Sequence, residues 1–437
     1  MLPNQRWFFE ELYGTMVNPG RWTIGAIYRL TPGTTEHITR DAVSHVLAQH
    51  ESLRVRFRRD DGEWRQWVAP PDAPFAFRVV DLSLVPPASR KTYIGRLAEQ
   101  LGAAVNIDQG ALIQFAYVDL GVSEPPRLIM IAHHLLLDAF SMRIIVKDLA
   151  LALKSLRDGT PVRLPRGTAF SDCVAMLHRY GEQGLRQELE YWRSMSRQGA
   201  VRLPVDADQE PSEAIRLWDT TASEVELPAV SGTGAGEALD TVVLAAVAGA
   251  VTTWAGGPVW VRSVHHGRDL VSAGESSERV LPTRSMRTVG WFATAGLHLL
   301  PVQGNDDLSC YIRAISGAVN APPNHGIGLS LLRWLPVDGD VDPAVADIWA
   351  KSGFMFNYMS VTRDQSYEGI ARSDEPIGGY RDLMEPRLAL HVRARAKPGR
   401  LSVFWDFDPT RRAGSTIERL SENAKTTLAA HSLDSVS

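Results

Sequence analysis

The chain has 437 residues, room for two or three domains at roughly 150 residues each. With 46 Lys+Arg against 50 Asp+Glu, net charge −4, 44% apolar and 22% charged residues, it lacks the basic excess of a nucleic-acid binder and has too much apolar material for a disordered chain. Two cysteines, Cys173 and Cys310, exclude a disulfide scaffold and a four-thiolate zinc site.

The start, Met1-Leu2-Pro3-Asn4-Gln5-Arg6-Trp7, has no basic and apolar pattern of a secretory signal, and the low cysteine count makes the cytoplasm the default expectation. The spacing of Val43, Val46 and Leu47 predicts a helix over 41–50, and the alternation in 53–57 predicts a half-buried strand with its arginines turned to solvent. Residues 112–119 form a second strand candidate, and the unbroken apolar run Leu128–Ala132 a strand buried on both faces. A helix is expected over 141–157, with Ser141 as a candidate cap and Gly159 at its end. Stretches 158–167 and 196–212 read as connections, with one helix over 170–192 between them, so a lobe boundary is expected between about 160 and 210. Further on, 239–254 reads as a helix. Its apolar stretch, 242–255, is too short to cross a bilayer and is interrupted by Thr252 and Thr253, so a buried core helix is the expectation. Strands are expected at 259–261, 297–302, 354–359, 388–394 and 401–407. Together these predict mixed α/β lobes with open sheets.

No phosphate-cradling Gly-rich loop with Lys-Ser/Thr, nucleophile elbow or His-Glu-x-x-His occurs. Gly232-Thr233-Gly234-Ala235-Gly236 follows no convincing strand and reads as a turn. The adjacent pairs His133-His134 and His265-His266 do not suit one metal ion, because neighbours on a strand point to opposite faces; no metal is expected. What carries chemistry is His133-His134-Leu135-Leu136-Leu137-Asp138-Ala139-Phe140-Ser141, between the buried strand and its helix. Two imidazoles and a carboxylate there supply a general base near neutral pH, or else a satisfied core pair with a capping Asp138.

That segment resembles the His-His-x-x-x-Asp-Gly motif of the condensation and epimerization superfamily of nonribosomal peptide synthetases, and other motifs follow in order. Gln5–Glu10 is similar to the opening motif, His50–Phe57 to the His-Glu/Asp-x-Leu-Arg-x-x-Phe block, and Tyr191-Trp192 to the Tyr-Trp before the lobe linker. His266-Gly267-Arg268-Asp269, Thr288–Phe292, Pro323–Gly328 and Phe356-Asn357-Tyr358 resemble motifs of the epimerization branch. The resemblance implies an α/β (α+β) fold of two chloramphenicol-acetyltransferase-like lobes, 1–180 and 181–437, each a mixed sheet with helices, V-shaped around a central channel. It implies His134 as the catalytic acid or base, His133 as support for the strand end, and Asp138 as a structural group pairing with an arginine, for which Arg268 is the candidate. Ser141, His266, Trp291, Asn357 and Tyr358 would line the channel or support it, with Trp291 and Asn357 otherwise belonging to the second lobe's core.

Two departures stand out. Ala139 replaces the usual Gly after Asp138, which asks for ordinary backbone angles. Val264 stands where the epimerization branch carries a Glu, and a valine cannot carry a proton; the neighbouring His265 would face the other way unless the strand bulges. The expected function is therefore a free-standing condensation-type acyltransferase of natural-product biosynthesis, joining a thioester to an amine or alcohol; a peptidyl-carrier epimerase and a non-catalytic recruitment module are the alternatives. The implied phosphopantetheine thioester comes on a carrier protein in trans or on coenzyme A, with no covalently bound cofactor, nucleic acid or membrane, and a monomer is expected.

Overall fold

Among the described residues, short apolar and alternating segments collect into two six-stranded sheets and one hairpin. A computed structural model describes residues 1–16, 18–206, 219–226, 239–271, 279–304, 307–336, 339–360, 366–377, 389–397 and 399–434. In chain order the strands are β1 (Thr23–Leu30), β2 (Val55–Asp60), β3 (Glu63–Val68), β4 (Ala76–Asp81), β5 (Ile113–Asp119), β6 (Arg127–His133) and β7 (Asp219–Glu226). There follow β8 (Val259–His265), β9 (Thr294–Leu300), β10 (Phe354–Ser360), β11 (Ser366–Tyr367), β12 (Ile370–Arg372), β13 (Leu390–Lys397) and β14 (Arg400–Phe407). One sheet has the order β11-β12-β1-β6-β5-β4, the other β7-β14-β13-β10-β8-β9, and β2-β3 is the hairpin.

The chain divides into two units. The first holds residues 1–177, the segment 279–293, and β11 and β12 from the stretch 363–383; the second holds the rest. A single cut near 180 therefore describes only the first crossing, because two later segments return to the first unit's fold. The return of β11 and β12 is a matter of strand pairing, β12 with β1, and leaves no trace in composition.

In the first unit β6 lies between β1 and β5, antiparallel to both, and Leu128–Ala132 are at most 1% exposed. The helix Glu36–Gln49 packs on the helix Ala139–Arg157, and the helix Pro87–Ala103 on β5 and β6. Residues 51–54 form a short 3-10 turn before β2, not a strand. Arg54 is not turned to solvent: it is 8% exposed, and its guanidinium donates to the carbonyls of Leu47, Ala48 and Ala69. The span 170–192 is two helices, Phe170–Gln183 and Arg186–Ser196, broken at Gly184, where a Cβ would collide with the Tyr180 ring.

In the second unit the helix Leu239–Ala255 is buried almost throughout and packs on the helix Gly414–Asp434. The Pro323–Gly328 motif is a structural hub. Asn324, at φ +49°, donates from Nδ2 to Glu188 Oε1 (3.0 Å), to the Tyr180 hydroxyl (3.3 Å) and to the Val271 carbonyl (2.8 Å), while its Oδ1 accepts from the Val271 amide (2.8 Å). Gly326, at φ +77°, lies so close to the Leu297 backbone that a Cβ would collide with it. The Gly232–Gly236 turn, the end of the 196–212 connection and residue 388 of the expected 388–394 strand lie outside the described residues.

Candidate active site

Strand β6 ends at His133, and the chain turns into the helix Ala139–Arg157 through Leu135, Leu136 and Leu137, all fully buried. Three consecutive buried leucines tie the turn down by packing; the Gln5 amide, donating to the Leu135 carbonyl at 2.8 Å, fixes it further. The two histidines separate as neighbours at a strand end should. His133 is fully buried; its Nε2 donates to the Pro19 carbonyl (2.9 Å), its Nδ1 accepts from the Leu135 amide (3.0 Å), and its ring meets Phe8 edge-on at 5.1 Å. Burial pushes it down to about 3, so it is a neutral support for the strand end.

His134 is half-buried. Its amide donates to the Trp22 carbonyl (2.8 Å), and its ring lies 4.8 Å from Trp291 and 6.5 Å from Trp22. Trp7 completes the aromatic cluster, 5.9 Å from both tryptophans. Burial pushes the His134 imidazole down to about 4, against the opposing pull of the Asp138 carboxylate. At neutral pH the ring is therefore in the form that accepts a proton.

Asp138, not Ser141, caps the helix: its Oδ1 accepts from the Ser141 amide at 2.8 Å. Its Oδ2 accepts from the amides of Phe292 (3.0 Å) and Ala293 (2.9 Å). Ser141 Oγ donates to the Gly290 carbonyl (2.9 Å) and accepts from the Gly290 amide (3.0 Å). The 288–293 segment is thus bolted to the start of the helix, with Trp291 against His134. Ala139 begins the helix with ordinary backbone angles, so the missing Gly costs nothing here.

The structure brings His133, His134, Asp138, Ser141 and Trp291 together in the first unit; Trp291 does not belong to the second lobe's core. His266, Arg268, Asn357 and Tyr358 lie in the second unit. Arg268 is fully buried, with its Nη1 donating to the His266 carbonyl (2.9 Å), and its amide donates to His266 Nδ1 (3.2 Å). Asn357 on β10 pairs with Arg393 on β13, and Tyr358 packs against the core. Strand β8 pairs with β9 in unbroken register through Val264 and His265, so no bulge reorients His265. Val264 is 37% exposed, and His265 instead stacks on His325 at 5.7 Å and shares Ser263 Oγ (2.9 Å) with His298 (2.7 Å). Burial pushes His265 down to about 4 and His298 to about 3. Trp22 went unmarked in the sequence, and Gln5 stood only within the Gln5–Glu10 segment similar to the family's opening motif, with no fixing role assigned to it.

Two mixed-sheet units with an imidazole at the end of a buried strand define the chloramphenicol-acetyltransferase-like class. The family model of the condensation domain matches residues 1–434, and the chain belongs to the condensation-domain family, whose general chemistry is acyl transfer. It is 29% identical over 367 residues to a linear gramicidin synthase of Brevibacillus parabrevis, covering 82% of this chain and 7% of that protein. It is 28% identical to chondramide synthase cmdD of Chondromyces crocatus, covering 97% of this chain and 11% of that protein. The chain thus spans a small fraction of the length of the curated relatives it matches. Among solved structures, the epimerization domain from the third module of tyrocidine synthetase B has the same fold (TM-score 0.82, 21% identity, 99% and 96% of the two chains covered). So does the starter condensation domain of rhizomide synthetase solved with C8-CoA and Leu-SNAC (TM-score 0.72, 15% identity, 98% and 93% covered). No helix among the described residues is long and apolar enough to cross a membrane.

Proposed function

We propose that this chain performs condensation-type acyl transfer, joining a phosphopantetheine- or coenzyme A-bound acyl group to an amine or alcohol. The observation that carries this reading is the His134 imidazole packed on Trp291 just past β6, where burial lowers its hold on a proton. In the proposed step the acceptor nitrogen or oxygen attacks the thioester carbonyl and loses its proton to His134. The carbon–sulfur bond then breaks, and the thiolate leaves with that proton. Asp138 steadies the imidazolium by its charge and the site by its amide bonds. Acyl donor and acceptor would come from a carrier protein or coenzyme A and from a small amine or alcohol.

A second reading, an epimerase acting on a carrier-bound aminoacyl group, is favoured by the ordered epimerization-like motifs and weakened by Val264, which offers no proton on the opposite face. One experiment separates the two. Purified protein is mixed with acyl- and aminoacyl-pantetheine thioesters in deuterated buffer, with and without amines, and products are weighed by mass spectrometry. Condensation gives a new amide or ester; epimerization gives a one-dalton exchange at the α-carbon. His134→Ala should lower either signal at least about 100-fold, the usual worth of a positioned general base. Unchanged product from His134→Ala would overturn the assignment.

A further inference from the structure

The segment Thr288–Ala293 carries Trp291 onto His134, yet it forms neither helix nor strand. Its place must come from side chains. One end is held by Asp138 and Ser141. The other end is held by a charge cluster, buried at Asp148 and His50 and half-buried at Arg287, that the proposed chemistry does not use. Asp148, fully buried on the helix Ala139–Arg157, accepts from Arg287 Nη2 at 2.6 and 2.8 Å and from His50 Nε2 at 2.9 Å.

The spacing of the two anchors is matched. Ser141 and Asp148 are seven residues apart, two turns along one face of the helix, or about 10.5 Å at 1.5 Å per residue. Their partners, Gly290 and Arg287, are three residues apart, and an extended chain covers about 10 Å in three residues. The strap therefore runs antiparallel along the helix with its register set at both ends. On its outer side the loop at 167–168 presses in: Thr288 Oγ1 donates to the Thr168 carbonyl (2.7 Å), and a Cβ at Gly167 would come within 2.9 Å of the Arg287 backbone. Beyond that contact a cavity of about 260 Å³, bounded by residues 48–51, 166–170 and 287–289, flanks Arg287, so its polar bonds to Asp148 share with the packing the task of holding this end.

We infer that Asp148, with Arg287 and His50, is a positioning group for His134: it fixes the far end of the strap and thereby the seat of Trp291 on the imidazole. The inference rests on the proposed role of His134. An ion pair with one partner buried adds little net stability but can fix the register of the segment that carries it, and a shift of about 1 Å at a reacting group can cost on the order of 100-fold in rate.

The test uses the full chain with selectively ¹³C-labelled histidine. The Cε1–Hε1 signal of His134, assigned with His134→Ala, reports the ring current of Trp291, and Trp291→Leu sets the value without it. Arg287→Gln should move the signal at least halfway toward the Trp291→Leu value and lower kcat at least 10-fold, with KM for the acyl-pantetheine changed less than threefold. Arg287→Lys should recover part of both. If Arg287→Gln does not fold, His50→Gln, which leaves the Arg287–Asp148 pair in place, should give a smaller shift in the same direction. A His134 signal at its native position in the folded variants would overturn the inference even if activity were low. A low activity of His134→Ala beside native turnover of Arg287→Gln would likewise remove the positioning role while keeping the catalytic one. Native turnover of His134→Ala would remove the catalytic reading, and the resonance alone would then decide whether the clamp seats Trp291.

Discussion

Asp138→Asn is the sharpest probe of how the site is built. The carboxylate is 1% exposed and accepts from three backbone amides, at 2.8 Å from Ser141, 3.0 Å from Phe292 and 2.9 Å from Ala293. An amide side chain has one oxygen and one NH2, so it cannot serve both sides. If its oxygen keeps the Ser141 cap, its NH2 faces two N–H donors, and two bonds to a charged acceptor are lost at about 1.5–3 kcal/mol each. If it flips, the cap is lost at about 1 kcal/mol and the two strap bonds fall from charged to neutral strength, about another 1 kcal/mol each. The cheaper flip predicts a loss of about 2–4 kcal/mol. Urea denaturation measures the total, and hydrogen exchange on a peptide covering 288–293 localises it, since the strap amides should exchange faster. A loss under about 0.5 kcal/mol, with unchanged exchange there, would show that the carboxylate does not hold the strap.

Two pH predictions follow from the buried imidazoles. The acidic limb of kcat/KM should lie near pH 4, where His134 takes up its proton, and not near 6.5; a limb at 6.5 would mean the ring is not desolvated. Folding stability should fall with acid for a related reason: His133, His134, His265, His298 and His391 titrate at about 3 to 4 when folded but near 6.5 when unfolded, so between those values the unfolded chain binds more protons and stability declines as pH drops. His391 is the clearest single case: burial lowers it to about 4 although Asp406 stands 3.9 Å from its Nδ1, and neither ring nitrogen is hydrogen-bonded. Its replacement by Phe should leave stability at pH 7 within about 1.5 kcal/mol and recover on the order of 3 kcal/mol of the loss at pH 4. An unaltered acid slope in urea titrations would refute that account.

Much of the fold was legible where local pattern and tertiary context agree. Leu128–Ala132 reads as a buried strand because an unbroken apolar run has nowhere to go but between two others, and β6 is that strand. Leu239–Ala255 reads as a core helix for the same reason. Legibility failed where a long-range contact overrides the local signal. Arg54 alternates like a surface arginine but is drawn inward by three carbonyls, one of them 15 residues on at Ala69, and the 170–192 helix breaks at Gly184, where any side chain would meet the Tyr180 ring one turn back.

The site divides along the same line. Sequence by itself determined that His133, His134 and Asp138 sit at a strand-to-helix junction, because a buried apolar strand, a leucine turn and an amphipathic helix follow one another within 30 residues. Only the tertiary structure decided where each is held: which imidazole is locked to Pro19 and which rests on Trp291, that Asp138 is a cap and an acceptor for two distant amides, and that a strap from 150 residues downstream packs against the His134 ring. The reason is physical. Periodicity reports which face of an element is apolar, whereas the partner of a buried polar group is chosen by whatever backbone the fold brings within 3 Å of it, and no local pattern records that distance.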